Sequence, residues 1–559
     1  MRKVVVATNI AETSITIDDV VYVVDCCRHK ENRYDPTTRL ASLETDFCPQ
    51  SSGKQRRGRA GRVKPGMCFH LVTKERFASL PDFQTPEMLR VPLDELILQV
   101  RALNLGAIAP FLKEALNPPT DEAIDASLQS LRGLRALDAA HDDRLTPLGF
   151  HLASLPVEPR IGKLLILGAV FRCLDPVLTV AASLSFRSPF VAPMDKREEA
   201  DEAKRDFAID ASDHLTGLTA FNRWRAVRFG RGSAFTQAAS SRGAAERTFL
   251  RQSFLSRNTL GMIWDLRNQF FEALVGIGFV PPVPGARRRG GGRSRDSPDA
   301  GGADPSADYN THAVNIELVK AVLAAGLFPN LAQAEPASLR KPGKGSSAPK
   351  LVTRDGDVAI HPSSVLYGRP SLPHGTGFLV FLEKVKTSQV WLRDATAIGP
   401  YPLLLLCGSL DVVHGRGAVV VDGWLPFRAP PRMAALLRQL RLRLEELLRL
   451  KILDPDAAAE GEERLVTAVS RLLLSEGGGI ALTADGEVGA LDQDGEVDLP
   501  FSRTERLPGP NSVKAAASVP AHRLPEAGAS ASRGPGSVGG RSAGGRSAAS
   551  GASSGSKLR

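Results

Sequence analysis

Residues Gln55-Arg56-Arg57-Gly58-Arg59-Ala60-Gly61-Arg62 set four arginines around two glycines, with a glutamine in front. A guanidinium is a planar fork of donors that grips phosphate oxygens and never loses its charge. Arg59 and Arg62 are spaced i, i+3, so on a helix they share one face. The two glycines permit the close backbone approach that a phosphate-facing turn needs. An Arg/Gly run can also be a solvated or nucleic-acid-binding tail. Apolar, strand-like segments on both sides of this run argue instead that it sits inside a fold.

Upstream lies Ala7-Thr8-Asn9-Ile10-Ala11-Glu12-Thr13-Ser14-Ile15-Thr16-Ile17-Asp18, directly after the β-branched run Val4-Val5-Val6. In order and spacing the two segments closely resemble motifs V and VI of the DEAH/RHA family of superfamily 2 RNA helicases. The chain starts almost on motif V. No G-x-x-x-x-G-K-[ST] phosphate loop and no Asp-Glu-x-His box occurs in it. The resemblance therefore implies a C-terminal part that lacks the first RecA-like domain and most of the second. A truncated gene model, a fragment or a remnant is expected.

The balance of 71 Lys+Arg against 61 Asp+Glu, net +10, favours polyanion partners, although basic low-complexity tails supply part of it. Six cysteines (Cys26, Cys27, Cys48, Cys68, Cys173, Cys407) show no metal-ligand spacing and read as reduced thiols; no metal site is expected. The adjacent pair Cys26-Cys27 reads as strand packing. No charge-free apolar stretch reaches about 18 residues, and the N-terminus lacks a signal-peptide layout. A soluble intracellular protein, cytoplasmic or nuclear, without membrane attachment is expected.

The fold class expected is multidomain α/β plus α plus β. Residues 1–80 read as the C-terminal remnant of a RecA-like α/β domain, with Val20-Val21-Tyr22-Val23-Val24 as a buried strand. By resemblance Arg28 to Phe47 forms a β-hairpin that projects towards the nucleic acid; an ordinary edge hairpin fits the residues as well. Helical periodicity (Leu93, Leu96, Ile97, Val100, Leu103) marks 90–155, which resembles the family's winged helix. Residues 156–280 resemble its helical ratchet, and His214 reads there as a structural histidine. Residues 284–310, with Arg287-Arg288-Arg289, read as a disordered insertion, and 311–350 as linker and loop. Strand-length alternation in 351–430 resembles the family's OB-fold barrel. Residues 431–475 read as C-terminal helices and 476–559 as a disordered tail.

The resemblance implies roles for particular residues. Gln55, Arg59 and Arg62 match nucleotide-facing, catalytic positions: Gln55 ordering the attacking water or γ-phosphate, the arginines neutralising charge in phosphoryl transfer. Asp18 matches a nucleotide contact. Thr8 and Asn9 match positions near the RNA backbone, and Ser14 lies in the loop that couples nucleotide state to RNA. Lys384, Lys386 and Arg393 are candidate backbone contacts on the barrel, or ordinary solvent-facing strand positions. The implied activity is ATP-dependent translocation along single-stranded RNA and unwinding. ATP with Mg²⁺ is the implied cofactor, held jointly with the missing first domain, without which this chain is inactive as an ATPase. RNA, ATP and protein cofactors are the implied partners. The alternative is a stand-alone RNA-binding or regulatory module without enzymatic activity.

Overall fold

A computed structural model describes residues 3–13, 17, 19–35, 40–141, 143–229, 239–282, 304, 307–335, 349–369, 372, 377–386, 389–455, 457, 461–477 and short strands between 480 and 498. Ser14 and Asp18, the side chains of 32–44, nearly all of the 284–310 insertion and the tail from 499 onwards lie outside the described residues.

At the N-terminus, strand β1 (Tyr22–Asp25) runs parallel to a later strand, Met67–His70, with Tyr22 opposite Met67 and Asp25 opposite His70. The expected burial of this strand is corrected. Tyr22 and Val24 are 66% and 67% exposed, because one face of the two-stranded sheet has no covering layer among the described residues. Val4 and Val6, expected as a strand, are exposed and unpaired there. Strands β2 (Arg28–Asp35) and β3 (Leu40–Phe47) form the expected hairpin in unbroken antiparallel register, Arg28 opposite Phe47. Met67–His70 is β4.

A cluster of buried side chains fills the middle of the chain. Leu93, Ile97, Leu131 and Leu134 pack the helices Asp94–Ala102 and Asp121–Gly133, and a two-stranded antiparallel ribbon follows, β5 (Leu137–Asp138) with β6 (Arg144–Leu145). Leu103, expected on that apolar stripe, is 69% exposed just past the helix end. Helices Pro159–Val170, Leu174–Leu184, Asp213–Phe229 and Arg257–Gly276 continue the same core. Inside it Asp175 takes both nitrogens of the Arg225 fork at 2.9 and 3.2 Å, and Arg267 at 2.5 Å.

The linker expected at 311–350 is corrected too. Ile316–Leu327 is a helix buried at every position, capped by Asn315, whose Oδ1 accepts from the backbone N–H groups of Glu317 and Leu318. A helix apolar all round belongs in a core. Its two charged residues survive burial as ion pairs, Lys320 with Asp210 at 2.5 Å and Glu317 at 3.0 Å. The first barrel strand follows, β7 (Leu331–Ala334), twenty residues before the expected start at 351. Then come β8 (Leu351–Thr353), β9 (Gly356–Ile360), β10 (Phe378–Lys386) and β11 (Val390–Ile398). Because β10 pairs with both β7 and β11, the order β7-β8-β9-β11-β10 closes on itself. Leu379 and Phe381 point into the barrel core, whereas Val380 between them joins the helical core, as a period of two dictates.

A meander of three short strands (410–428) leads to the helix Pro431–Leu453, whose buried stripe is Ala434, Leu437, Arg441, Leu444 and Leu447. The tail expectation is corrected between 480 and 498. Ile480–Leu482, Val488–Leu491 and Val497–Asp498 form a small antiparallel sheet. The pairs Asp485-Gly486 and Asp494-Gly495 between them are hairpin signals that a reading by composition passes over.

Candidate nucleotide and RNA site

The arginine run forms the helix Gln50–Arg57 and a 3₁₀ turn, Gly58–Gly61. Ser52, Gly53 and Ala60 lie on its buried face. Arg56, at i+4 from Ser52 and i−4 from Ala60, points the same way. Gln55 and Arg62 are exposed and Arg59 is half-buried. Gln55 and Arg62 thus stand away from the packed face, whereas Arg59 turns back onto the segment that carries Glu12. At Gly58 and Gly61 an added Cβ would meet nothing within 4 Å. The backbone crowds Gly66 instead, where a Cβ would lie 1.9 Å from the Ala60 carbonyl oxygen and 2.5 Å from that of Val21. Two open glycines leave room beside the arginines; one crowded glycine lets the chain pass under the turn.

Arg56 is the residue that sequence reasoning missed. Its Nε donates to Glu12 Oε2 at 3.0 Å, and one terminal nitrogen donates to Asp25 Oδ1 at 2.9 Å and to the Arg28 carbonyl at 3.2 Å. It therefore joins the motif V segment, the end of β1 and the base of the hairpin. Burial disfavours a charged guanidinium, but the hydrogen bonds to Asp25 and Glu12 outweigh it and raise the Arg56 pKa. Burial likewise pushes Asp25 up, yet hydrogen bonds from the Cys27 N–H and Arg56 hold its carboxyl below the ordinary value. Arg59 donates to the Glu12 carbonyl. The signal was present in the spacing: an arginine in register with Ser52 and Ala60 lands on the packed face of a helix.

Thr8 and Asn9 are exposed ahead of the short helix Ile10–Thr13, which carries Glu12. The hairpin base is anchored by Arg28 and Arg76, whose guanidinium carbons lie 4.6 and 4.7 Å from the Phe47 ring centroid. Glu31 accepts from Gln84 Nε2 at 2.8 Å. From there β3 reaches the barrel and pairs with β10, Ala41 opposite Val385.

The three barrel cations are not equivalent. Lys384 is largely buried, bound to Asp355 and, at 3.2 Å, to Thr353 Oγ1. Arg393 bonds Glu383 across the strand pair at 3.1 Å. Lys386 is exposed at the end of β10. His214 is buried, with Nδ1 2.6 Å from Thr396 Oγ1, and burial holds its pKa down to about 4. It is a neutral joint between helix Asp213–Phe229 and β11, as its reading as structural requires. No helix among the described residues is long and apolar enough to cross a membrane.

Comparison with known proteins agrees with this layout. Residues 1–64 match the family described as helicase conserved C-terminal domain, and 158–217 the helicase associated domain (HA2), ratchet-like. Residues 319–410 match the oligonucleotide/oligosaccharide-binding (OB)-fold, and 417–475 the C-terminal domain in RNA helicases. The chain is 42% identical over 482 residues to the DExH-box ATP-dependent RNA helicase DExH1 of Arabidopsis thaliana, covering 85% of this chain and 44% of that one. To the ATP-dependent DNA/RNA helicase DHX36 of Homo sapiens it is 42% identical over 459 residues, covering 81% and 42%. To the human ATP-dependent RNA helicase DHX29 it is 38% identical over 480 residues, covering 85% and 32%. The chain spans less than half the length of these curated relatives.

Proposed function

The chain belongs to the DEAH/RHA family of RNA helicases, and on that premise we propose that it is the C-terminal portion of an ATP-dependent enzyme that moves along single-stranded RNA. In this reading residues 1–80 complete the second RecA-like domain, 90–155 are the winged helix and 156–280 the ratchet. Gln55, Arg59 and Arg62 face the triphosphate held by a first RecA-like domain, with Asp18 beside them. Thr8, Asn9 and Ser14 face the RNA, and Lys386 extends the track along the barrel, with Lys384 and Arg393 beside it.

One observation carries the reading: Arg56 and Arg59 both bind Glu12. The helix that would sense the γ-phosphate and the segment that would touch RNA are thereby one mechanical body. Arginines aimed at developing charge act only when their donors are pre-positioned. Movement of that body on nucleotide turnover would shift Thr8 and Asn9 along the strand. Recognition led by the backbone predicts modest sequence preference and steep salt dependence. The exposed face of β1 and β4, with Tyr22, Val24, Met67 and Phe69, supports a further covering layer for the RecA-like part.

The test has two parts. RNA binding by the purified chain is read by fluorescence anisotropy across a salt series without nucleotide. ATP turnover is then read for a fusion that supplies the first RecA-like domain of a family member. RNA-stimulated turnover in the fusion supports the enzyme reading. Firm RNA binding with no turnover in the fusion overturns it in favour of the stand-alone binding module.

A further inference from the structure

Pairing of β1 with β4 sets Asp25 beside His70, and the next turn of chain brings Cys27 to the same point. Cys27 Sγ lies 3.4 Å from His70 Nδ1 and 3.5 Å from Asp25 Oδ2; His70 Nδ1 lies 3.3 Å from Asp25 Oδ2. A tetrahedral zinc ion with Zn–S of about 2.3 Å and Zn–N or Zn–O of about 2.0–2.1 Å separates its ligand atoms by about 3.3–3.6 Å. All three edges of this triangle fall in that range.

The geometry points to a binding site for one thiophilic dication of the zinc class, held by Asp25 Oδ2, Cys27 Sγ and His70 Nδ1, with water as fourth ligand. Nothing in the helicase reading uses this triad. The donor set is one that zinc takes, thiolate, imidazole and carboxylate together. The outer shell is also present. Asp25 Oδ1 is already engaged by the Cys27 N–H and Arg56, each at 2.9 Å, which leaves Oδ2 to face inward. His70 Nε2 lies 3.8 Å from Cys68 Sγ, and its ring packs 4.8 Å from Phe77. Such contacts fix the orientation of first ligands. Asp25 and Cys27 are buried, while His70 is half-buried and opens the site to solvent.

Cys27 has φ of +53°, a left-handed conformation that costs any residue but glycine. A cysteine held there has a side-chain reason to stay. A zinc-class cation takes cysteine as the thiolate, so the thiol must give up its proton. Binding of the dication displaces that proton to solvent, and the neutral imidazole carries its proton on Nε2. Two anionic ligands then balance the two positive charges. The occupied site would lock the end of β1 to β4 under the Arg56 clamp.

The experiment is a titration of the full chain, stripped with chelator, using Co²⁺ as the probe and Zn²⁺ as its competitor. Expected are one equivalent bound, a thiolate-to-cobalt absorption band, release of a proton and displacement by Zn²⁺. Cys27→Ser should lose the band and the exposed neighbour Cys26→Ser should keep it. His70→Gln should weaken binding by at least the roughly 10–100-fold typical of losing an outer-shell partner. No stoichiometric uptake by the wild-type chain, or a band that survives in Cys27→Ser, would overturn the site and leave a hydrogen-bonded triad. Should Cys27→Ser fail to fold, a folded His70→Gln that binds as the wild type does overturns it equally.

Discussion

Replacing Asp175 by asparagine tests the charge network at the centre of the helical core. Asp175 bonds Arg225 through both oxygens, and Arg267 binds it by side chain and by its backbone carbonyl at 2.8 Å. Burial alone would raise its pKa, but the two guanidiniums hold it down to about 2 against an ordinary 3.8. Nearly two pKa units correspond to about 2 kcal/mol favouring the charged form at neutral pH. The folded-state pKa is the depressed one, so this contribution is complete above about pH 4 and is lost as pH falls towards 2. An asparagine side chain cannot ionise and leaves two buried guanidiniums without a counter-charge, for which a loss of about 3–5 kcal/mol is expected at pH 7. The gap between wild type and Asp175→Asn should then narrow by about 1 kcal/mol between pH 7 and pH 3, where half of the linkage is gone. Urea denaturation at both pH values, followed by tryptophan fluorescence, measures both quantities; Trp224 and Trp264 lie in this core. A gap that stays constant with pH would refute the assignment of the depressed carboxyl to this network.

Arg59→Ala should leave RNA affinity within about twofold and abolish ATP turnover in the fusion that carries a first RecA-like domain, a loss of about 10³-fold or more; retained turnover would sink the arginine-finger role. Lys386→Ala should lower RNA affinity and reduce the salt slope by about 1, whereas Lys384→Ala, already tied to Asp355, should leave the slope unchanged; the opposite order would place the track at Lys384 and leave Lys386 off it. Gly66→Ala forces a Cβ against two backbone carbonyl oxygens and should loosen β1 and β4 by more than the roughly 1–3 kcal/mol typical of overpacking. Hydrogen exchange of the Val23 and Phe69 amides reads that loosening, and unchanged protection would contradict the close crossing.

Local chemistry was legible in the sequence by itself. The arginine run, its i, i+3 and i+4 spacing, the helical stripes at Leu93–Val100 and Leu128–Leu131 and the alternating strands of the barrel all follow from periods of 3.6 and 2, which need no knowledge of partners. So did the family, because motifs V and VI are short and contiguous. The tertiary structure alone decided which of several similar residues does what. Arg56, Arg57, Arg59 and Arg62 read alike in the run, but only Arg56 meets the carboxylates of Glu12 and Asp25, residues 44 and 31 positions away. Lys384 and Lys386 stand two apart on one strand and share a face, yet only Lys384 finds Asp355. The helix Ile316–Leu327 was hidden between two low-complexity stretches, since composition averages over neighbours while burial depends on what packs against each face. The Asp25–Cys27–His70 triangle exists only because β1 and β4 pair in one register. Periodicity is written along the chain, whereas charge pairing and ligand geometry arise where distant segments meet.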